Sequence, residues 1–181
     1  MKSKHLTVLS AAVAVLSLSG EVQAASMCSS ETLKGAYAFS GQGEVLGLLE
    51  ADGLHPFATP SLLNDVAIVT FDGVGHFART DFGNTNGAPR SSDFNPDQSG
   101  AYTVNPDCTG TMTIKYTSGV ELDLRTVVAA DGTVVKALIA TETVPGSAPA
   151  KDGTPCGTSC RLAVQVSFEG KKVFVSREPH Q

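Results

Sequence analysis

From residue 33 onward, bulky apolar residues alternate with small or polar ones, and clusters of Gly, Asp, Asn and Pro interrupt the alternation. Period two is the signature of strands with one buried face. The first run, Leu33 to Val45, carries Tyr37 and Phe39 on one face. Val66 to Phe71 and His76 to Phe82 flank Asp72-Gly73-Val74-Gly75, a hairpin signal. Ala101 to Val104 and Thr111 to Tyr116 flank Asn105-Pro106-Asp107-Cys108-Thr109-Gly110, where Pro106 closes off the preceding strand. In the cleanest run, Val120, Leu122, Leu124 and Thr126 alternate with Glu121, Asp123 and Arg125. Asp131-Gly132 leads into Thr133 to Thr143, and Leu162 to Phe168 with Val173 to Ser176 reads as a last hairpin around Gly170-Lys171-Lys172.

About eight or nine short antiparallel strands with almost no helix signal predict an all-β domain, a single antiparallel barrel of about eight strands. Closure removes exposed edges, and an eight-stranded interior is filled by side chains or holds one small ligand. A Greek-key sandwich is the alternative, because strand order is not written in this pattern. Three stretches break the alternation. Glu44 to Asn64 is apolar for a loop, with Leu46, Leu48, Leu49, Leu54, Phe57, Leu62 and Leu63 interrupted by Pro56 and Pro60. It predicts irregular chain plugging one end of the core, or a lid over a cavity mouth. Residues 83–99 read as a polar loop, and Pro145 to Cys160 as a surface excursion.

The N-terminus changes the setting. Lys2 and Lys4 precede an apolar run of 13 residues, Leu6 to Leu18, and Val22-Gln23-Ala24 puts small residues at the offsets for cleavage before Ala25. This is the pattern of a secretory signal peptide over residues 1–24, too short for a membrane span, leaving 25–181 as one domain. The expected location is periplasmic or extracellular. Without Lys2, Lys4 and Glu21, the chain's 13 basic and 18 acidic residues become 11 and 17, for a net charge of −6. That balance, with no Lys/Arg run longer than two, speaks against a nucleic-acid partner. No other stretch is long and apolar enough to predict a membrane-spanning helix.

Four cysteines, Cys28, Cys108, Cys156 and Cys160, form an even set in an exported chain and allow three disulfide connectivities. The preferred one joins Cys28 to Cys108 and Cys156 to Cys160. The first bridge closes a long loop, stabilising by roughly 4–5 kcal/mol in the loop-entropy model. Zinc at Cys156 and Cys160 would need a second Cys/His pair at ligand spacing, and there is none, so no metal and no cofactor is expected.

Three stretches carry a resemblance: Leu33-Lys34-Gly35-Ala36-Tyr37-Ala38-Phe39-Ser40-Gly41, Thr70-Phe71-Asp72-Gly73-Val74-Gly75, and Gly100-Ala101-Tyr102-Thr103-Val104-Asn105-Pro106-Asp107-Cys108-Thr109-Gly110-Thr111. Over roughly residues 28–140 the chain resembles small exported bacterial proteins of unassigned function. The resemblance implies a calycin-like barrel similar to that of allene oxide cyclase. These motifs are turns and strand starts, so they speak to fold and are nearly silent on chemistry. In that group a cysteine before the first strand and one in the Asn-Pro-Asp-Cys turn recur, in agreement with a Cys28–Cys108 bridge. The Gly-x-Trp of lipocalins is replaced by Gly35-Ala36-Tyr37, and the chain has no tryptophan. No site residue of allene oxide cyclases maps onto this chain.

Candidate chemistry is sparse. There is no Gly-x-Ser-x-Gly elbow, and after the leader only His55, His76 and His180 remain as histidines. His76 opens a strand, and His180 is next to last. His55 lies in the apolar loop with Glu50 and Asp52, making these three the acid–base candidates if that loop closes a cavity. Glu121, Asp123 and Arg125 share the face opposite the apolar residues and read as a solvated outer ladder. Tyr37, Phe39, Leu49 and Phe57 are the candidate lining of a ligand site, and Tyr37, Tyr102 and Tyr116 could offer hydroxyls. The leading expectation is an exported barrel that binds a small apolar ligand. The alternatives are a cyclase or isomerase confining an apolar substrate in an allene oxide cyclase-like cavity, and a cell-envelope interaction protein with a filled barrel.

Overall fold

The computed structural model describes residues 28–174, so the leader expected over residues 1–24 and the C-terminal residues that include Ser176 and His180 lie outside the described part. A short 3₁₀ turn, Ser30–Leu33, is followed by nine strands: β1 Gly35–Glu50, β2 Gly53–Phe71, β3 His76–Thr85, β4 Ala88–Pro89, β5 Asn95–Val104, β6 Thr109–Lys115, β7 Glu121–Val128, β8 Val134–Val144 and β9 Cys160–Lys172. All nine join one antiparallel sheet, in which β4 is a two-residue extension beside β3 and each of the other eight pairs with the next. β9 returns to β1, from Tyr37↔Lys172 to Leu48↔Leu162, and closes a ring of eight strands. The neighbours are those of an up-and-down barrel, not of a sandwich.

The alternation places one set of side chains inside. Tyr37 and Phe39, Val69 and Phe71, Phe77, Tyr102, Met112 and Ile114, Leu122 and Leu124, Val128 and Val135 form the main core. Phe71 is its hub, with edge-on contacts to Tyr37 at 5.3 Å and Tyr102 at 4.8 Å between ring centroids. Glycines make the room for these rings: at Gly100 a Cβ would run into the Phe77 ring, and at Gly170 into the Phe39 ring. Gly170 therefore lies within β9, paired with Phe39 and Val135, and does not turn the chain. The hairpin expected around Gly170-Lys171-Lys172 is replaced by one continuous strand.

One end of the ring is sealed. The Ser30–Leu33 turn lies across it with Leu33 buried, and Tyr102 donates to Ser30 O at 2.9 Å while accepting from Gly73 N at 3.1 Å. The Tyr37 hydroxyl donates to Gly132 O, and burial pushes its pKa up to about 12. The Cys28–Cys108 disulfide ties this seal to the β5–β6 turn. The second bridge, Cys156–Cys160, closes the excursion ahead of β9, so both pairings are as expected.

The opposite end departs most from the sequence reading. Residues 44–64 are neither plug nor loose lid but the far half of the β1–β2 hairpin, which extends beyond β3. β2 pairs with β3 only from Leu63 onward, so Pro56 and Pro60 occupy a stretch whose outer edge has no strand to bond. The register shifts between Val45 and Gly47, leaving 57–60 as a bulge, and Gly47 allows close approach to the backbone of His55 and Pro56. The excursion 145–159 packs onto this extension. Val45, Leu48, Val144, Ala150, Cys160 and Leu162 form a second, smaller core, flanked by Phe57, Leu63 and Val120.

Candidate functional site

Leu63 and Val120 touch both cores. Between the cores, at the barrel mouth, lies a cavity of about 310 Å³. Its apolar wall is Leu63, Val120, Leu122, Ile139, Val166 and Phe168, and its polar groups are Asp65, Asp81, Arg90, Tyr116 and Glu142, with Ser91, Asn95 and Ser118 also on its lining. Small-molecule sites commonly combine an apolar wall with a few convergent polar groups.

The floor is an ion cluster inside the ring. Arg79, on the inward face of β3, has a side chain 2% exposed. Its Nη2 donates to Asp65 Oδ1 at 2.5 Å, and its Nη1 to Asp81 Oδ2 at 2.7 Å, to the Tyr116 hydroxyl at 2.9 Å and to Gln98 Oε1. Gln98 Nε2 donates to Asp81 Oδ1, completing the carboxylate's partners. Arg90 reaches over Gly83, where a Cβ would collide with its guanidinium, and donates from Nη2 to Asp65 Oδ2 at 2.8 Å. Burial pushes Asp65 up to about 6 against the pull of Arg79. Burial also opposes charge on Asp81, but Arg79 and the Gln98 amide outweigh it and hold that carboxyl low. Burial pushes Tyr116 up to about 12.

Glu142 enters by a break in the strand. Val135, Ala137 and Ile139 face inward, and strict alternation would send residue 142 outward. The β7–β8 register shifts, with Asp123 opposite Thr141 but Leu124 opposite Ile139, so Ala140 is an extra residue. This bulge turns Glu142 into the cavity, opposite Leu122. Burial raises its pKa, with Arg90 opposing. Its carboxyl makes no hydrogen bond or ion pair among the described residues.

The residues singled out from sequence sit elsewhere. Tyr37 and Phe39 belong to the packed core, Leu49 and Phe57 to the hairpin extension, and none of the four lines the cavity. The hydroxyls of Tyr37 and Tyr102 are spent on backbone at the sealed end; Tyr116 alone of the three tyrosines reaches the cavity. Leu122 and Leu124 point inward as expected, while outside Thr113 donates to Asp123 at 2.7 Å and Lys115 pairs with Glu121 at 3.5 Å. His76 is exposed, 3.5 Å from Asp72.

Glu50, Asp52 and His55 stand at the tip of the β1–β2 hairpin, outside the cavity lining. Glu50 and Asp52 are exposed. His55 Nε2 is 2.9 Å from Asp52 Oδ1, and Nδ1 is 2.8 Å from Asp152 Oδ2 and 3.0 Å from Thr154 Oγ1. Hydrogen bonds to Asp52 and then Asp152 push its pKa up to about 9. A ring protonated on both nitrogens is a poor general base. It acts as a clasp, fastening the excursion to the hairpin beside the Lys151 N to Pro56 O bond at 2.8 Å.

A wider depression of about 940 Å³ crosses the outer face, with Val66, Phe82, Val127 and Leu138 on its lining beside Arg125 and Lys136. It is open to solvent, whereas the mouth cavity is narrower and carries the Arg79 ion cluster on its floor, so the mouth cavity is the better site. The acidic groups give no metal centre: no cluster of three or more His, Cys, Asp or Glu suited to a metal occurs among the described residues. No helix among the described residues is long and apolar enough to cross a membrane. The chain matches no protein-family model and no curated protein.

Two predictions follow from these contacts. Arg79→Met leaves two buried carboxyls without their central cation and lowers unfolding free energy by about 3–5 kcal/mol in urea titration. Adding Asp65→Asn and Asp81→Asn recovers most of that loss. For the clasp, an NMR titration of the His55 ring gives a pKa of about 9, lowered in Asp152→Asn and lowered further when Asp52→Asn, which removes the larger contributor, is added. Because the folded pKa lies above the unfolded one, the clasp's contribution is full below about pH 6.5 and is lost as pH rises through 9. Asp152, held down to about 2 first by the Thr154 backbone N–H and then by His55, sets the acid limit: its share is lost as pH falls below about 3.8. The stability difference between wild type and His55→Ala is therefore largest near pH 5–6.

Proposed function

We propose that this chain is an exported, disulfide-bonded barrel protein that holds one small molecule, apolar in its body and polar at one end, in the cavity at the barrel mouth. The observation that carries the reading is the cavity itself, a volume of about 310 Å³ with apolar walls and a polar floor fixed by Arg79. Polar groups held by a buried network do not need to be ordered when a ligand arrives, which lowers the cost of binding. Export is supported by the leader pattern and by two disulfides, which fit an oxidising compartment. The closed eight-stranded ring agrees with the calycin-like, allene oxide cyclase-like resemblance without identifying a ligand.

A cyclase or isomerase in the same cavity is the second reading, favoured by one observation: Glu142 is a carboxyl without a protein partner among the described residues in an apolar wall, where burial raises its pKa toward the range of a general acid or base. A fully filled barrel acting through its outer loops has no use for the cavity.

The reading is checked by native mass spectrometry of protein recovered from its exporting compartment. Wild type releases a small molecule on denaturation. Leu63→Trp, a large side chain at a half-buried wall position, folds with the same disulfides and carries none. A bare wild-type mass accompanied by no uptake from a metabolite extract counts against binding.

A further inference from the structure

The charges around the cavity do not balance. Five ionisable side chains of opposite sign meet there: Arg79 and Arg90 against Asp65, Asp81 and Glu142. Both guanidiniums are committed. Arg79 bridges Asp65 and Asp81; Arg90 holds Asp65 and stands 3.9 Å from Asp81. Glu142 is left over, half-buried on its bulge beside Leu122, with Ile139, Val166 and Phe168 forming the same wall. An anionic ligand would add a fourth negative group to this site. A wholly apolar ligand would cover Glu142 and leave its carboxyl without a hydrogen-bond partner, a state it could hold only by taking up a proton. A single positive charge on the ligand settles both problems.

We propose that the cavity takes a small organic amine in its protonated form, with Glu142 as the counter-ion and Leu122, Ile139, Val166 and Phe168 as the seat of its apolar body. This inference rests on reading the cavity as a small-molecule site. The ammonium replaces the water lost by Glu142 with a charge-assisted hydrogen bond. The Tyr116 hydroxyl lies on the same lining as a further acceptor. Burial disfavours the charged carboxyl in the empty site, and a bound cation reverses that preference. The bulge at Ala140 accounts for the acid being there at all: without it, Glu142 would face solvent on the outside of the ring.

Three probes of matched shape decide the matter: cyclohexylmethylamine, cyclohexylmethanol and cyclohexanecarboxylate, titrated calorimetrically at pH 7.5 into the disulfide-bonded protein and into Glu142→Gln. The amine binds wild type at least about tenfold more tightly than the alcohol, and the carboxylate binds most weakly. Glu142→Gln, which keeps the shape of the side chain, cuts amine affinity by at least about tenfold and leaves the alcohol within about threefold. If the alcohol equals the amine, or the carboxylate binds best with Arg90 as its anchor, the amine assignment is overturned while the binding barrel stands. If none of the three binds, the small-molecule reading falls with it. The wild-type ranking alone is decisive should the variant fail to fold.

Discussion

The guanidinium of Arg79 is the interaction on which the upper half of the barrel depends. A closed eight-stranded ring must fill its own interior, and at the sealed end it does so with Tyr37, Phe71, Phe77 and Tyr102. One step further along β3 the filling changes from rings to charge. Arg79 lies between Asp65 on β2 and Asp81 on its own strand, with Gln98 from β5 and Tyr116 just beyond β6. Three neighbouring strands and the turn that follows β6 are thus tied through one side chain. Such a cluster is costly to bury and strongly destabilising to break. It also fixes polar groups at a stated depth, which an all-apolar filling would not do, and the cavity begins where the cluster ends.

Beyond the cavity the barrel is extended by a different device. The β1–β2 hairpin runs past the ring and is capped by the 145–159 excursion, which the Cys156–Cys160 bridge, the His55 clasp and the small core around Leu48 hold in place. Of the hairpin's far half and the excursion, only Leu63 lines the cavity, whose lining above the floor also includes Arg90, Ser91, Asn95, Tyr116, Ser118 and Val120. His55 and its two aspartates therefore fasten the excursion to the hairpin and are not part of the cavity lining.

Much of the fold was legible in the alternation of residues because side-chain direction in a strand is set by period two. Leu122 and Leu124 against Glu121, Asp123 and Arg125 face as the pattern predicts, and the Asp72–Gly75 hairpin is where its residues place it. What the pattern hid were the places where period two fails or where a residue has a second use. Pro56 and Pro60 signal a loop, yet an edge without a neighbour tolerates them. Gly170 signals a turn, yet it serves to admit the Phe39 ring. Glu142 was missed for the most instructive reason: from Val135, Ala137 and Ile139 its phase is outward. Only the switch to Val144 as the next inward apolar residue marks the bulge that brings it in. Arg79 and Asp81 share a face with Phe77, so their inward direction was readable. That the interior would accept them was not, because it depends on Asp65 and Gln98, distant in sequence and brought close by ring closure.

The central claim is that the barrel mouth encloses a cavity meant to be occupied. The most direct test is a crystal structure of protein purified from its own cells without refolding, read at the space bounded by Arg90, Tyr116, Glu142 and Phe168. The account predicts continuous density larger than water within hydrogen-bond distance of Glu142, with the Arg79 cluster intact beneath it. Side chains of Ile139, Val166 and Phe168 collapsed together, leaving no room above Asp81, would contradict it.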